Sequence, residues 1–271
     1  MKKKPAAPDW LAALKSIQDG PMTTPLWPMT IKTGRHLPGE IDMVDPYPVV
    51  ETCVDYNPPL IDPLDLGRVK FSGPIQEAAF ALRMKGFVII EDDPDREGEG
   101  DLCLAAENAT PYAINFMMRE ACGLVCVALT PERCEQLMLP PLRVKRSDDS
   151  PNFVMPCDLL THGSGISASE RAETIRALAD PTMTAGANFR TPGHVFPLAT
   201  HPEGLSARRG HTEAGVELCK VAGLQPAAVL CELLDTEGEP RTTDQIKVYA
   251  KIHDIPVVTV EQIVQYGKEH S

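Results

Sequence analysis

The chain has 271 residues, with 38 acidic side chains against 26 basic ones and a net charge of -12. So acidic a balance argues against binding a nucleic-acid backbone, which needs a basic face. No apolar run approaches the roughly 20 residues of a spanning helix, and Pro5, Pro8 and Asp9 interrupt the Met-Lys-Lys-Lys start before any apolar signal core. The expectation is a soluble, cytoplasmic protein that engages neither nucleic acid nor membrane.

Residues 1–70 are rich in proline and hold both tryptophans, Trp10 and Trp27. Proline removes backbone donors and blocks helix interiors, so this part reads as an irregular extension with one short helix at 10–17. Residues 71–271 read as the folded body. Residues 75–85 look helical, and Phe87-Val-Ile-Ile is a buried strand. Thr110-Pro111 and Thr130-Pro131 each pair a capping hydroxyl with proline at the first helical position. Between those two starts, 124–129 reads as a strand. Ser167 and Glu170 form a capping box ahead of a helix that Pro181 stops. Thr212 reads as the cap of a helix to about residue 222, followed by strands at 228–234 and around 257–260. Thr242 with Gln245 and Thr259 with Gln262 make two further capping boxes. Helices and strands mix without a barrel's regular beat. The predicted class is α/β (α+β), a mixed sheet flanked by helices. The eight cysteines contain no Cys-x-x-Cys pair and several sit in apolar runs, so they read as reduced, mostly buried thiols.

The charge is concentrated. Residues 91–101 carry seven acids and one base, a net -6. At ~4 Å each like-charged pair costs about 1 kcal/mol in water and about 4 kcal/mol at an effective dielectric near 20. Such a loop either hangs in solvent or encloses cations. Here it is fixed to the buried strand before it and to Leu102-Cys-Leu-Ala-Ala after it. Gly98 and Gly100 alternate with Glu97, Glu99 and Asp101, which lets neighbouring carboxylates turn toward one point. Oxygen ligands on a loop suit a hard divalent ion, magnesium more than zinc.

The second half supplies partners. Four of the seven histidines lie between 162 and 211. His194 stands in Pro192-Gly-His-Val, read as a tight turn entering a strand. His211 precedes a helix start, with Arg208 three residues upstream, and Gly163-Ser164-Gly opens another helix. A helix N-terminus beside an arginine is a natural phosphate seat. Each histidine alone is more often structural. Glu232 lies inside the apolar run Leu230-Cys-Glu-Leu-Leu, where a carboxylate is costly unless paired or catalytic. Together these residues point to a magnesium-assisted reaction on a small phosphorylated compound.

Six ordered motifs carry a resemblance: Asp-Asp-Pro-Asp-Arg-Glu-Gly-Glu-Gly-Asp-Leu (92–102), Cys-Gly-Leu-Val-Cys (122–126), Gly-Ile-Ser-Ala-Ser-Glu-Arg (165–171), Pro-Gly-His-Val-Phe-Pro-Leu (192–198), Gly-His-Thr-Glu-Ala (210–214) and Leu-Cys-Glu-Leu (230–233). From about residue 74 to 268 the chain resembles 3,4-dihydroxy-2-butanone-4-phosphate synthase of riboflavin biosynthesis. The resemblance implies a lyase, a cytoplasmic homodimer that uses magnesium, with manganese as the alternative ion, to convert ribulose 5-phosphate into dihydroxybutanone phosphate and formate. It implies Glu97 and His211 as metal ligands. It implies Asp92, Glu99, Asp101, His194 and Glu232 in proton relay and Cys126 lining the pocket. Arg96, Ser164, Arg208 and Thr212 would hold the substrate. In that chemistry the ion polarises a carbonyl and hydroxyl of the ketose, easing an enediolate, while carboxylates and a histidine move protons.

The chain also departs from the family pattern. It has Gly98 where asparagine is usual, and Thr191 where arginine usually precedes Pro-Gly-His. Gly163-Ser164 stands where two threonines are usual, and a shorter loop at 147–152 stands where the family covers the sugar. No cyclohydrolase half follows, so the two-enzyme arrangement is not expected. Two further readings therefore stand beside the family reaction. One is a paralogue with the same metal site acting on a different phosphorylated sugar or ketone. The other is a non-catalytic regulatory or interaction protein, which the retained Glu97, His211 and Glu232 count against.

Overall fold

Proline sets three of the helix starts, two of which the spacing predicts. The computed structural model describes residues 71–93, 96, 98–142, 150–184 and 188–270. The expected extension with its helix at 10–17, Glu97 and part of the 147–152 loop lie outside those residues. Helix α1 (Pro74–Arg83) begins on Pro74. Strands β1 (Val88–Glu91) and β2 (Gly100–Ala105) flank the acidic loop and pair antiparallel. Helix α2 (Pro111–Phe116) is capped by the Thr110 hydroxyl, which accepts from the Ala113 N–H, and runs into a π-turn at Met117–Ala121. Strand β3 (Cys126–Leu129) leads to α3 (Pro131–Gln136), capped by Thr130 in the same way. Each such cap contributes about 1 kcal/mol.

Strands β4 (Asn152–Phe153) and β5 (Cys157–Leu159) precede α4 (Ala168–Ala179), whose Ser167–Glu170 capping box is fully formed. The longest strand, β6, spans Phe189–Ala199. Pro192 and His194 therefore lie within a strand rather than at a turn before one. The strand accommodates a proline because its pairing with β5 shifts register between Cys157 and Asp158, where a missing N–H costs no ladder bond. Helix α5 (His211–Val221) starts two residues earlier than expected. Gly210 takes the cap position in extended backbone, so Thr212 is the second helical residue and not the cap. Strand β7 (Ala227–Glu232), α6 (Thr243–His253), β8 (Val257–Thr259) and α7 (Val260–His270) complete the chain. Both predicted C-terminal capping boxes form.

The strands make one mixed sheet in the order β4-β6-β3-β7-β2-β1-β8, with β5 added on β6. Residues 103, 105, 128, 228 and 230 share one face and pack under α1, α5 and α7. Alternate residues, among them Leu102, Leu104, Val127 and Leu129, take the other face and are also fully buried. A sheet covered on both faces reads as near-continuous apolar runs, which is how these strands appear in the sequence. A fully buried Leu or Ile contributes roughly 1.5–3 kcal/mol. The described cysteines are free thiols, and only Cys122 is exposed. No helix among the described residues is long and apolar enough to cross a membrane.

Candidate active site

Strand register assembles the site. Asp101 on β2 lies opposite Glu232 on β7, and Cys126 on β3 lies opposite Leu230, two residues from Glu232. Opposed residues point to one face, and so do residues two apart. All three side chains therefore stand on the face covered by α5, at the end of the sheet where its apolar core stops. The first turn of α5 brings His211 and Thr212 to the same place. These residues, with Arg208 and the loop residues Arg96 and Glu99, line a cavity of about 90 Å³.

Local contacts fix each wall. The Leu124 N–H donates to Glu232 Oε2 at 2.8 Å. A Cβ at Gly123 would lie 2.6 Å from that same oxygen and 2.5 Å from the Glu232 carbonyl oxygen. The motif Cys-Gly-Leu-Val-Cys thus needs glycine for the close approach of one backbone to another. Asp92 is buried, accepts from Arg96 Nη1 at 2.7 Å and accepts the Asp93 N–H at 2.8 Å. It does not line the cavity; it holds the arginine that does. Arg208 donates from Nη1 to the buried Glu213 at 2.6 Å. Burial pushes the Cys126 thiol up, and the nearby Glu232 and Asp101 charges push it further. Cys126 is therefore a neutral wall group at neutral pH and not a thiolate nucleophile.

His211 carries the observation relevant to a metal. Its Nδ1 stands 3.9 Å from Asp101 Oδ1, too far for a hydrogen bond. Its Nε2 is buried with no hydrogen-bond partner among the described residues. An open imidazole nitrogen on a residue that shares its cavity with Asp101 and Glu99 fits a divalent ion. Magnesium keeps several waters and takes few protein ligands, so the donors it needs here are modest in number. Among the described residues no three His, Cys, Asp or Glu side chains form a ready-made cage. Glu97, the other expected ligand, is outside those residues.

His194 and Ser164 do not line this cavity. They belong to a second cluster around Asp158, a carboxylate only 1% exposed. Asp158 accepts the His194 N–H at 2.8 Å and lies 2.9 Å from His194 Nδ1. Arg190 donates to Asp158 at 3.5 Å and to the Ser164 carbonyl at 2.7 Å. Gly165 has φ +88, and a Cβ there would fall 2.2 Å from Asp158 Oδ2. The contact to Nδ1 leaves Nε2 as the nitrogen that faces outward. Asp158 and Glu213 are buried, hydrogen-bonded carboxylates beside these residues that sequence reasoning does not single out. The signal for Asp158 is nevertheless present: it sits in Cys-Asp-Leu-Leu (157–160), an apolar run like the one that singles out Glu232.

The comparisons with known proteins bear on this geometry. The model of the family described as 3,4-dihydroxy-2-butanone 4-phosphate synthase matches residues 76–266. The chain belongs to that family. The 3,4-dihydroxy-2-butanone 4-phosphate synthase of Candida albicans is 44% identical over 196 residues, covering 71% of this chain and 96% of that one. The riboflavin biosynthesis protein RibBA of Aquifex aeolicus is 43% identical over 196 residues, covering 71% of this chain; the chain spans only about half, 48%, of that protein. A solved structure described as 3,4-dihydroxy-2-butanone 4-phosphate synthase in complex with two magnesium ions aligns with TM-score 0.68 at 37% identity, over 72% of this chain and 96% of that one. Its mixed architecture agrees with the fold class expected from the sequence, and its bound ions agree with the expected metal.

Proposed function

We propose that residues 71–271 form a catalytic domain, preceded by the proline-rich extension 1–70, that converts D-ribulose 5-phosphate into 3,4-dihydroxy-2-butanone 4-phosphate and formate in riboflavin biosynthesis, in the cytoplasm. One observation carries the reading. Asp101, Glu232, Glu99 and the open nitrogen of His211 meet in one cavity with Arg96, Arg208 and Thr212. Acid–base groups and cations thus face a common small volume, as a sugar phosphate requires.

Arg208 and Thr212 bind the phosphate at the start of α5, where the helix N-terminus adds favourable potential. Arg96, braced by Asp92, orients the sugar hydroxyls. Asp101, Glu99 and Glu232 take and return protons at the sugar carbons and hydroxyls, a role worth about 10²–10⁴ in rate for a well-placed group. Cys126 excludes water from one wall. Glu97 and His211 would hold magnesium, or manganese, which would supply Lewis-acid polarisation of the ketose.

His194 and Ser164 enter through a homodimer, in which one copy presents its Asp158 cluster at the mouth of the other's cavity. The exposed apolar residues Leu160 and Ile166 near that cluster, and Leu124 at the cavity wall, support a covered interface there. Incubating the full chain with ribulose 5-phosphate and magnesium should release formate, and EDTA should stop it. Bound magnesium without formate release would overturn the reading in favour of a second one, turnover of a related phosphorylated ketose. That alternative has its own support: Pro151, in the loop that departs from the family pattern, lines the cavity. Sedimentation of a monomer at assay concentrations would remove the dimer.

A further inference from the structure

Glu213 has no part in the chemistry above, yet it is 2% exposed. Its Oε2 accepts from Arg208 Nη1 at 2.6 Å, and its Oε1 accepts from the backbone N–H of His201 at 2.8 Å. A carboxylate so far from water is costly unless both oxygens are satisfied, and here they are. Glu213 is absent from the cavity lining, although its helical neighbours His211 and Thr212 and its partner Arg208 are all present there. Consecutive helical residues point about 100° apart, so Glu213 faces away from the cavity and grips Arg208 from behind.

Gly210 completes the arrangement. A Cβ there would lie 2.3 Å from Arg208 Nη1 and 3.1 Å from Glu213 Oε2. The backbone at Gly210 is ordinary extended chain, φ -109 and ψ 165, which any residue adopts. Its lack of a side chain therefore serves the guanidinium and not the turn.

We propose that Glu213 is a positioning residue for phosphate recognition, holding the Arg208 guanidinium at the cavity wall so that a phosphomonoester dianion meets a preformed cation. This rests on the reading of Arg208 as the phosphate-binding arginine. Arginine's long side chain has much rotamer freedom to lose on binding, and a guanidinium already held in place loses less. Because the ion pair is buried, salt does little to weaken the grip.

The test measures KM and kcat for ribulose 5-phosphate, the Ki of inorganic phosphate as competitor, and magnesium affinity by calorimetry, all on the full chain. Glu213→Gln should raise KM and Ki together by about tenfold, with kcat within about threefold and magnesium affinity unchanged. Gly210→Ala should do the same by pushing on Nη1. It decides the matter alone if Glu213→Gln does not fold. In Arg208→Gln/Glu213→Gln the loss should be no greater than in Arg208→Gln alone. KM and Ki within about twofold of wild type, with only a lower melting temperature, would overturn the proposal. So would additive losses in the double variant. If Arg208→Gln itself leaves Ki unchanged, the phosphate reading of Arg208 falls and takes the proposal with it. If Arg208→Gln raises Ki but the other two variants do not, the positioning role alone fails.

Discussion

The cavity residues come from strand ends in register, whereas His194 is held by a single buried carboxylate. In the first region the backbone does the positioning. Asp101 and Glu232 face each other because β2 and β7 pair there, and Cys126 joins them through β3. One buried imidazole nitrogen, His211 Nε2, is left open among the described residues. In the second region the side chains do the positioning: Asp158 binds the His194 backbone and ring and an Arg190 guanidinium at once, while the His194 side chain stays 43% exposed. A region with an open valence is built to react. A region whose polar atoms are spent on each other is built to present one group, here an imidazole, to something outside it. The two should respond differently to loss of a carboxylate.

The largest effect separates rate from stability. Glu232→Gln keeps an oxygen to accept the Leu124 N–H and fills the same volume beside Gly123, so the melting temperature should move little. Formate release should fall by about 10²–10⁴, the range for a lost acid–base group. A large loss of stability with proportionate loss of activity would instead make Glu232 a structural member of the sheet end.

Asp158→Asn should lower both quantities. The amide can still accept one N–H, but the ring of His194 and the Arg190 guanidinium no longer face a charge. Weakening the bonds of these partly exposed partners to the one buried carboxylate costs about 1 kcal/mol, or a melting-temperature drop of about 2–4 °C at this size. Formate release should fall by about tenfold to a hundredfold through mis-set imidazole orientation. Unchanged stability, read by thermal melting, would erase the distinction between the two regions.

Why one region is legible in the sequence and the other is not follows from the same contrast. Caps, prolines and apolar runs announce strand and helix ends, so local patterning alone puts Asp101, Glu232 and His211 at element boundaries. The acidic loop advertises itself through self-repulsion. Asp158 is one carboxylate with no charged neighbours in sequence, and its partners lie 32 and 36 residues away. Local reasoning also misjudges β6, because Pro192-Gly193 suggests a turn and only the shifted pairing with β5 makes room for it in a strand. Thr212 misleads for a related reason: a hydroxyl at a helix start resembles a cap, but Gly210 holds that position and frees Thr212 for the cavity.

The smallest effect concerns two adjacent arginines that draw the same line between buried and exposed. Arg208 is buried against Glu213, whereas the Arg209 side chain is 39% exposed and bridges Asp93 of the acidic loop, at 2.9 Å, to Glu261 of α7. Exposed pairs are screened and lose side-chain entropy, so they contribute little. Arg209→Ala should change the melting temperature by no more than about 2 °C and turnover by less than about twofold. The arginine holds the Glu261 carboxyl below its ordinary value of 4.5, chiefly through the hydrogen bond between them. A depressed carboxyl stabilises the fold above that ordinary value and loses the contribution as pH falls through the lowered one. The difference between Arg209→Ala and wild type should accordingly shrink as the pH is taken below 4.5, and at neutral pH it should shrink with added salt, the Debye length falling from about 10 Å at 0.1 M to about 3 Å at 1 M. The Glu213→Gln difference should survive that salt. If both respond alike in melts and kinetics run across ionic strength, burial does not distinguish the two arginines, and the Arg208 seat is as solvated as its neighbour's.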